Sequence, residues 1–257
     1  MLNLLLSLML LSVSSAHASP LDGAAEDAIH NGNLVAAGGQ AWRSVAKLEF
    51  NGYMCTGVFI NYDTLITAAH CNITNDSSLY ITLYKENDPS KAQYLYLQKG
   101  DFRYTKHPRY VHTGQATDYD LSVVVLKNGK RLPEGFTPAE FVTSDYASAT
   151  DPGQPAFLVG SGMTGTSTYA SQLWFQRGTI SQFTGAAQMM VESAYGKGVC
   201  GGDSGGPVFV QGPNGRLMLY GVINATSGEI NAKCGTTVYT TVVGAAEYQW
   251  LQGVRAL

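Results

Sequence analysis

Beyond residue 28 the apolar positions come in short runs, and polar or glycine-containing turns separate them. Val45–Phe50, Gly57–Ile60, Thr64–Thr67 and Leu79–Tyr84 are apolar or β-branched stretches divided by Asn-Gly, Asn-Tyr-Asp and similar turn signals. Tyr94–Leu97, Leu121–Leu126, Ala156–Val159, Leu173–Ile180, Gln188–Glu192, Pro207–Val210, Leu217–Ile223 and Val238–Val243 continue the series. Short strands at regular spacing without intervening helices predict a sandwich or barrel. Helical spacing occurs only at the end, where Ala245–Leu257 puts Tyr248, Leu251 and Val254 on one face. Pro and Gly cluster in Pro133–Pro138, the candidate linker between two halves. There is no internal repeat and no low-complexity tract.

The amino terminus follows another pattern. Leu2–Val13 is nearly continuous Leu, Met and Val, followed by the small residues of Ser14–Ala18 and by Ser19. Ala16-His17-Ala18 has the small-x-small form of a signal-peptidase site, and the run is too short to span a bilayer. Residues 1–18 are therefore expected to be a signal peptide, and the protein to be secreted. No later stretch approaches the roughly 20 apolar residues of a membrane span.

Composition narrows the choices. Of 257 residues, 14% are charged, and 16 Lys+Arg face 19 Asp+Glu for a net charge of −3. This argues against a nucleic-acid binder, which needs a basic face. A hydrophobic share of 45% argues against disorder, and 29 glycines with 15 tyrosines fit an all-β chain. The four cysteines, Cys55, Cys71, Cys200 and Cys234, suggest two disulfides in an oxidising compartment. Three pairings are possible, and the simplest joins sequence neighbours, Cys55–Cys71 and Cys200–Cys234. Neither a C-x-x-C pair nor clustered His accompanies them, so no metal or other cofactor is expected.

Three motifs carry chemistry. They are Leu65-Ile66-Thr67-Ala68-Ala69-His70-Cys71, Asp118-Tyr119-Asp120-Leu121-Ser122-Val123-Val124-Val125-Leu126, and Cys200-Gly201-Gly202-Asp203-Ser204-Gly205-Gly206-Pro207. A His, an Asp and a Ser each border a strand-like run. Acyl transfer needs this set: a hydroxyl nucleophile, an imidazole to take its proton and a carboxylate to hold the imidazole.

In these motifs, and in their order His, Asp, Ser, the chain resembles the chymotrypsin/trypsin-like serine proteases from about Ile29 to Leu257. Cys55-Thr56-Gly57, His107-Pro108-Arg109-Tyr110, Gly160-Ser161-Gly162, Val238-Tyr239 and Trp250 are weaker landmarks. The resemblance implies an all-β fold of two packed six-stranded antiparallel β-barrels with a C-terminal helix. Residues 29–135 would form the first barrel, and 136–257 the second barrel with the helix. Ser204 would be the nucleophile, His70 the general acid–base and Asp120 its orienting carboxylate, a division of labour taken over from the family. Asp118 is the nearest competitor for Asp120. The backbone N–H groups of Gly202 and Ser204 would form the oxyanion hole.

The resemblance also implies an activation switch. Cleavage after Ala28 would free the Ile29 ammonium to pair with Asp203, and residues 19–28 would be a short pro-segment. Ala28 is neither Lys nor Arg, so a trypsin-like activating protease is not expected. Partners would be protein or peptide substrates, the activating protease and protein inhibitors, with no nucleic acid and no membrane, and the enzyme is expected to be a monomer. The rival reading is a catalytically silent binding or inhibitory homologue, a class that usually lacks a triad member.

For specificity, Gly198 falls at the pocket base, where trypsin-like members carry an aspartate. Asn224, Ala225 and Thr226 fall on the substrate strand, with Thr226 at one pocket wall and Thr237 at the other. Two β-branched walls imply small to medium uncharged P1 residues, unless Glu229 bends into the pocket and restores a basic preference. Asn224 stands where the family commonly has a serine touching the catalytic aspartate, and is expected to donate to Asp120. Ala225 replaces a bulky aromatic and should widen the adjacent subsite. Asn72 and Asn75 head sequons in an expected surface loop and are candidate glycosylation sites. The sequon at Asn224 would block the cleft and is read as unused.

Overall fold

The computed structural model describes residues 29–112, 117–164, 168–194, 196–212, 214–231 and 233–256. The expected signal peptide (1–18) and pro-segment (19–28) lie outside the described residues, as does the side chain of Glu229. The chain opens with a two-residue strand, β1 (Asn33–Leu34). Then come β2 (Val45–Phe50), β3 (Tyr53–Asn61), β4 (Thr64–Thr67), β5 (Leu79–Tyr84), β6 (Ala92–Leu97), β7 (Phe102–Lys106) and β8 (Ser122–Leu126). The second half carries β9 (Pro155–Gly160), β10 (Trp174–Phe183), β11 (Gln188–Ser193), β12 (Val199–Cys200), β13 (Pro207–Gln211), β14 (Leu217–Asn231) and β15 (Cys234–Val242). A helix, α1 (Ala245–Ala256), ends it.

The fold is the expected all-β pair of antiparallel sheets with a terminal helix. In the second half the order β10-β11-β15-β14-β13-β9 closes into a six-stranded barrel, because β9 also pairs with β10. The first sheet departs from six strands. It runs as seven in an open path, β6-β5-β2-β3-β4-β8-β7. Its two edge strands, β6 and β7, are consecutive in the chain, and a turn joins them in which Asp101 N donates to Gln98 O at 2.9 Å. Covalent continuity thus bridges the gap that the hydrogen bonds leave open.

Residues 29–34 precede the first barrel but pack on the second. β1 pairs with β10, Gly198 N donates to His30 O at 3.2 Å, and Ile29 packs with Ala170 and Trp174. The Pro133–Pro138 linker is held in place: Leu132 N donates to Tyr62 O, Thr137 N to Arg43 O, and Phe136 meets Trp42 edge-on at 5.6 Å.

The main apolar cluster crosses between the halves. It joins Leu48, Phe59, Leu65, Ile66 and Val124 to Phe157, Val159, Phe209 and Val222, and includes Leu251 and Val254 of the helix. The expected helix face is turned slightly. Glu247, Leu251 and Val254 are buried, whereas Tyr248 is exposed and meets Phe141 edge-on at 5.3 Å. The i, i+4, i+7 spacing of Glu247, Leu251 and Val254 leaves Tyr248 about 100° away from Glu247 on the helix. His107 also contacts the helix. It is buried, stacked on Tyr119 at 4.9 Å and capped by Trp250 at 4.6 Å, so it docks the helix on the first barrel.

Candidate active site

The His motif follows β4 immediately. β4 is buried at all four positions, and its end is held where Ser122 Oγ donates to Ala68 O at 3.1 Å. His70 sits in the short 3₁₀ turn that comes next, and Tyr104 OH donates to the Ala69 carbonyl at 3.2 Å. Asp120 lies just before β8 and is 1% exposed. Its Oδ1 accepts from the His70 backbone N–H at 2.8 Å and its Oδ2 lies 2.6 Å from His70 Nδ1. This bidentate grip fixes both the ring and its backbone. With Nδ1–H committed to the carboxylate, Nε2 is left as the basic nitrogen.

Asp118 has another role. Its carboxylate accepts from Ala186 N at 3.3 Å and Ala187 N at 3.2 Å, tying the first barrel to the β10–β11 turn of the second.

Ser204 lies in the second half, in the turn between β12 and β13. Its carbonyl accepts from Thr56 N at 2.9 Å, next to the Cys55–Cys71 disulfide that anchors the His segment. The amides around Ser204 divide clearly. Cys200 N donates to Asp203 Oδ2, Gly201 N to Lys233 O, Asp203 N to Cys200 O, Gly205 N to Ile223 O and Gly206 N to Asp203 O. Among the described residues, the N–H groups of Gly202 and Ser204 have no acceptor. Both residues are partly exposed, so these two donors stay open to an acceptor from outside the fold.

Gly202 has φ +94°, and a Cβ there would meet Met54 Cε at 2.6 Å, so only glycine fits. Thr56 holds the next peptide. Its fully buried hydroxyl donates to Gly202 O at 2.9 Å and accepts from Ser161 N at 3.2 Å.

Asp203 is fully buried. Gly162 N donates to its Oδ1 at 2.7 Å and Cys200 N to its Oδ2 at 2.8 Å. Among the described residues no basic side chain pairs with it, and burial pushes its pKa up to about 7. A Cβ at Gly160 or Gly162 would collide with this carboxylate, which explains the Gly-Ser-Gly landmark.

Thr237 is tied to β11. Its hydroxyl donates to Glu192 Oε2 at 2.8 Å, because β14 and β15 continue as one hairpin that pairs Ser227 with Thr237 and Glu229 with Gly235. Gly198 packs under this hairpin. A Cβ there would collide with the Gly235 carbonyl and come within 2.7 Å of Ile230 Cδ1. The Thr226 hydroxyl lies over Gly235 in the same way.

Asn224 does not donate to Asp120; its Nδ2 donates to Thr117 O at 2.7 Å. The side chain is 4% exposed and its amide is engaged, consistent with an unused sequon. Asn72 is exposed, and its Oδ1 accepts from Lys106 Nζ at 2.8 Å. Asn75 is also exposed, but both ends of its amide bind the Tyr104 backbone. Both disulfides have the sequence-near pairing, Cys55–Cys71 and Cys200–Cys234.

β13 stops pairing with β14 at Val222, so residues 224–227 present a free strand edge to the cleft. The cleft, of about 570 Å³, is lined by His70, Asp120, residues 224–227, Tyr110, His112, Gln188 and Tyr239. Thr56, Gln188 and Ile230 carry roles that the sequence alone does not assign. Only Thr56 has a signal there, as a member of the Cys-Thr-Gly landmark. No group of His, Cys, Asp and Glu suited to a metal occurs among the described residues, and no helix there is long and apolar enough to cross a membrane.

The family model described as Trypsin matches residues 29–248. Chymotrypsin-like elastase family member 1 of Homo sapiens is 26% identical over 247 residues, covering 86% of this chain and 90% of that protein. The Bos taurus protein of the same name is 25% identical over 238 residues, covering 84% and 86%. Suppressor of tumorigenicity 14 protein homolog of Bos taurus is 24% identical over 207 residues, covering 73% of this chain and 24% of that protein.

Proposed function

Because this chain belongs to the chymotrypsin/trypsin-like serine protease family and is a serine endopeptidase acting on protein or peptide substrates, we propose that Ser204, His70 and Asp120 are its catalytic triad. The observation that carries the assignment is the Asp120 grip on His70, 2.6 Å at Nδ1; the unpaired amides of Gly202 and Ser204, and the Ser204 carbonyl held by Thr56 N beside the Cys55–Cys71 disulfide, support it. His70 Nε2 takes the Ser204 proton as Oγ adds to the scissile carbonyl. The developing oxyanion is held by the N–H groups of Gly202 and Ser204. The imidazolium, stabilised by Asp120, returns the proton to the leaving amine, and water then repeats the sequence on the acyl-enzyme. The substrate backbone pairs with the free edge of β14 at residues 224–227.

The P1 residue is proposed to be small and uncharged. Gly198 brings no charge, and the Gly235 carbonyl and Ile230 Cδ1 pack closely against it, which supports a shallow pocket. The protein is proposed to be a secreted monomer, with a signal peptide over residues 1–18 and a pro-segment over 19–28. Cleavage before Ile29 by an activating protease would supply an ammonium to Asp203. The buried Asp203 carboxylate, without a basic partner among the described residues, supports this. Protein inhibitors are proposed to compete for the same β14 edge, and Asn72 is the proposed glycosylation acceptor.

Digestion of a peptide library by protein beginning at Ile29 tests the specificity. Cleavage after Gly or Ala is expected, and Ile230→Ala should extend it to Val and Leu. Cleavage by the parent protein after Lys, Arg or Phe would contradict the pocket reading.

A further inference from the structure

Ala225 and Gln188, the first residue of β11, line the same cleft. Gln188 is 8% exposed. Its Oε1 accepts from Thr184 Oγ1 at 2.8 Å, which sets the amide, while its Nε2 is buried and has no partner. A buried donor without an acceptor is costly, and this one belongs to a residue lining the substrate cleft.

Tyr110 and His112, linked OH to Nδ1 at 3.0 Å, and Tyr239 of β15 line the same cleft. Among the described residues no Lys or Arg lines the cleft, and the carboxyl group that does is that of Asp120. Lys106 lies over the Tyr110 ring, 5.5 Å from its centroid. An anionic side chain would therefore meet a carboxylate and no lining cation. An apolar one would leave the Gln188 donor unpaired. A neutral acceptor satisfies both conditions.

We propose that Gln188 floors a subsite for an uncharged amide side chain, Gln or Asn, on the non-primed side of the substrate. The inference rests on the substrate strand running along residues 224–227. Side chains of an extended peptide alternate, so P2 and P4 share one face and either can enter. The substrate amide carbonyl accepts from Gln188 Nε2, and its NH₂ group faces the Tyr and His hydrogen-bonding atoms.

The test measures binding to protein beginning at Ile29 and carrying Ser204→Ala, so turnover is not needed. Acetylated tetrapeptide amides with Ala elsewhere carry Gln, Leu or Glu at P2 or at P4. At one of these positions Gln is expected to bind about tenfold tighter than Leu or Glu, a ratio typical of one buried hydrogen bond gained or lost. Gln188→Leu should reverse the order of Gln and Leu, and Ala225→Trp should erase it by filling the cleft. Equal affinities, or a preference for Leu or Glu on the unaltered subsite, would overturn the proposal. Cleavage of the all-Ala peptide by the parent protein reads the catalytic assignment separately.

Discussion

The Thr56 hydroxyl donates to the Gly202 carbonyl at 2.9 Å from the opposite barrel. The contact fixes the peptide that follows one proposed oxyanion donor. Thr56 also accepts from Ser161 N, so the Gly-Ser-Gly segment and the oxyanion loop share one buried hydroxyl. Thr56→Val keeps the shape and leaves Gly202 O and Ser161 N unsatisfied, a cost of about 1–3 kcal/mol. Steady-state kinetics should show kcat lowered about tenfold or more with KM changed little, and Thr56→Ser should retain most activity. An unaltered kcat in Thr56→Val would remove Thr56 from the positioning machinery.

Asp203 links processing to stability. Its folded pKa, raised by burial to about 7, exceeds the roughly 3.9 of an unfolded aspartate. The protonated form is thus the one the fold accommodates. Its stabilising contribution is complete below about pH 3.9 and is lost as pH rises through about 7. A free Ile29 ammonium should offset that loss. Thermal unfolding should show the processed protein gaining more over the unprocessed one at pH 7.5 than at pH 5. Asp203→Asn should flatten the difference. Parallel pH courses for the two forms would contradict the pairing.

His107 predicts a trend of opposite sign. Burial lowers its pKa, outweighing the nearby Glu247 carboxylate, while Arg109 lowers it further. Its Nδ1 also accepts from Arg109 N at 3.3 Å, a bond only the neutral ring can make. The contribution is present above about pH 6.5 and is lost as pH falls through the depressed folded value. The melting temperature should therefore fall between pH 7 and pH 5, and His107→Phe, which keeps the ring contacts, should shallow the fall. An unchanged slope in that variant would exclude His107 as its source.

The parts legible in the sequence are those with local signals. His70, Asp120 and Ser204 sit in motifs bordering strands, and the structure brings the first two into direct contact. The buried strands β4 and β8 are clear because every position is apolar or small. β7 escapes the pattern because Phe102-Arg103-Tyr104-Thr105-Lys106 is half polar, with only Phe102 and Tyr104 buried. The Thr237–Glu192 bond is not legible in the sequence because it joins β15 to β11 across the sheet. The β14–β15 hairpin shifts register between Ile223 and Ala225 and again between Glu229 and Asn231. Asn224 turns to Thr117, and Gln188 enters the cleft, through contacts between residues distant in sequence that no local pattern encodes.

The central claim is that Ser204 is a nucleophile activated by His70. Reaction of protein beginning at Ile29 with a fluorophosphonate, read by mass spectrometry of the digested product, tests it directly. One label per chain is expected, on the peptide holding Ser204. It should be absent in Ser204→Ala and slowed by about 10³ or more in His70→Ala. No incorporation into the parent protein, or incorporation that persists in Ser204→Ala, would contradict the account.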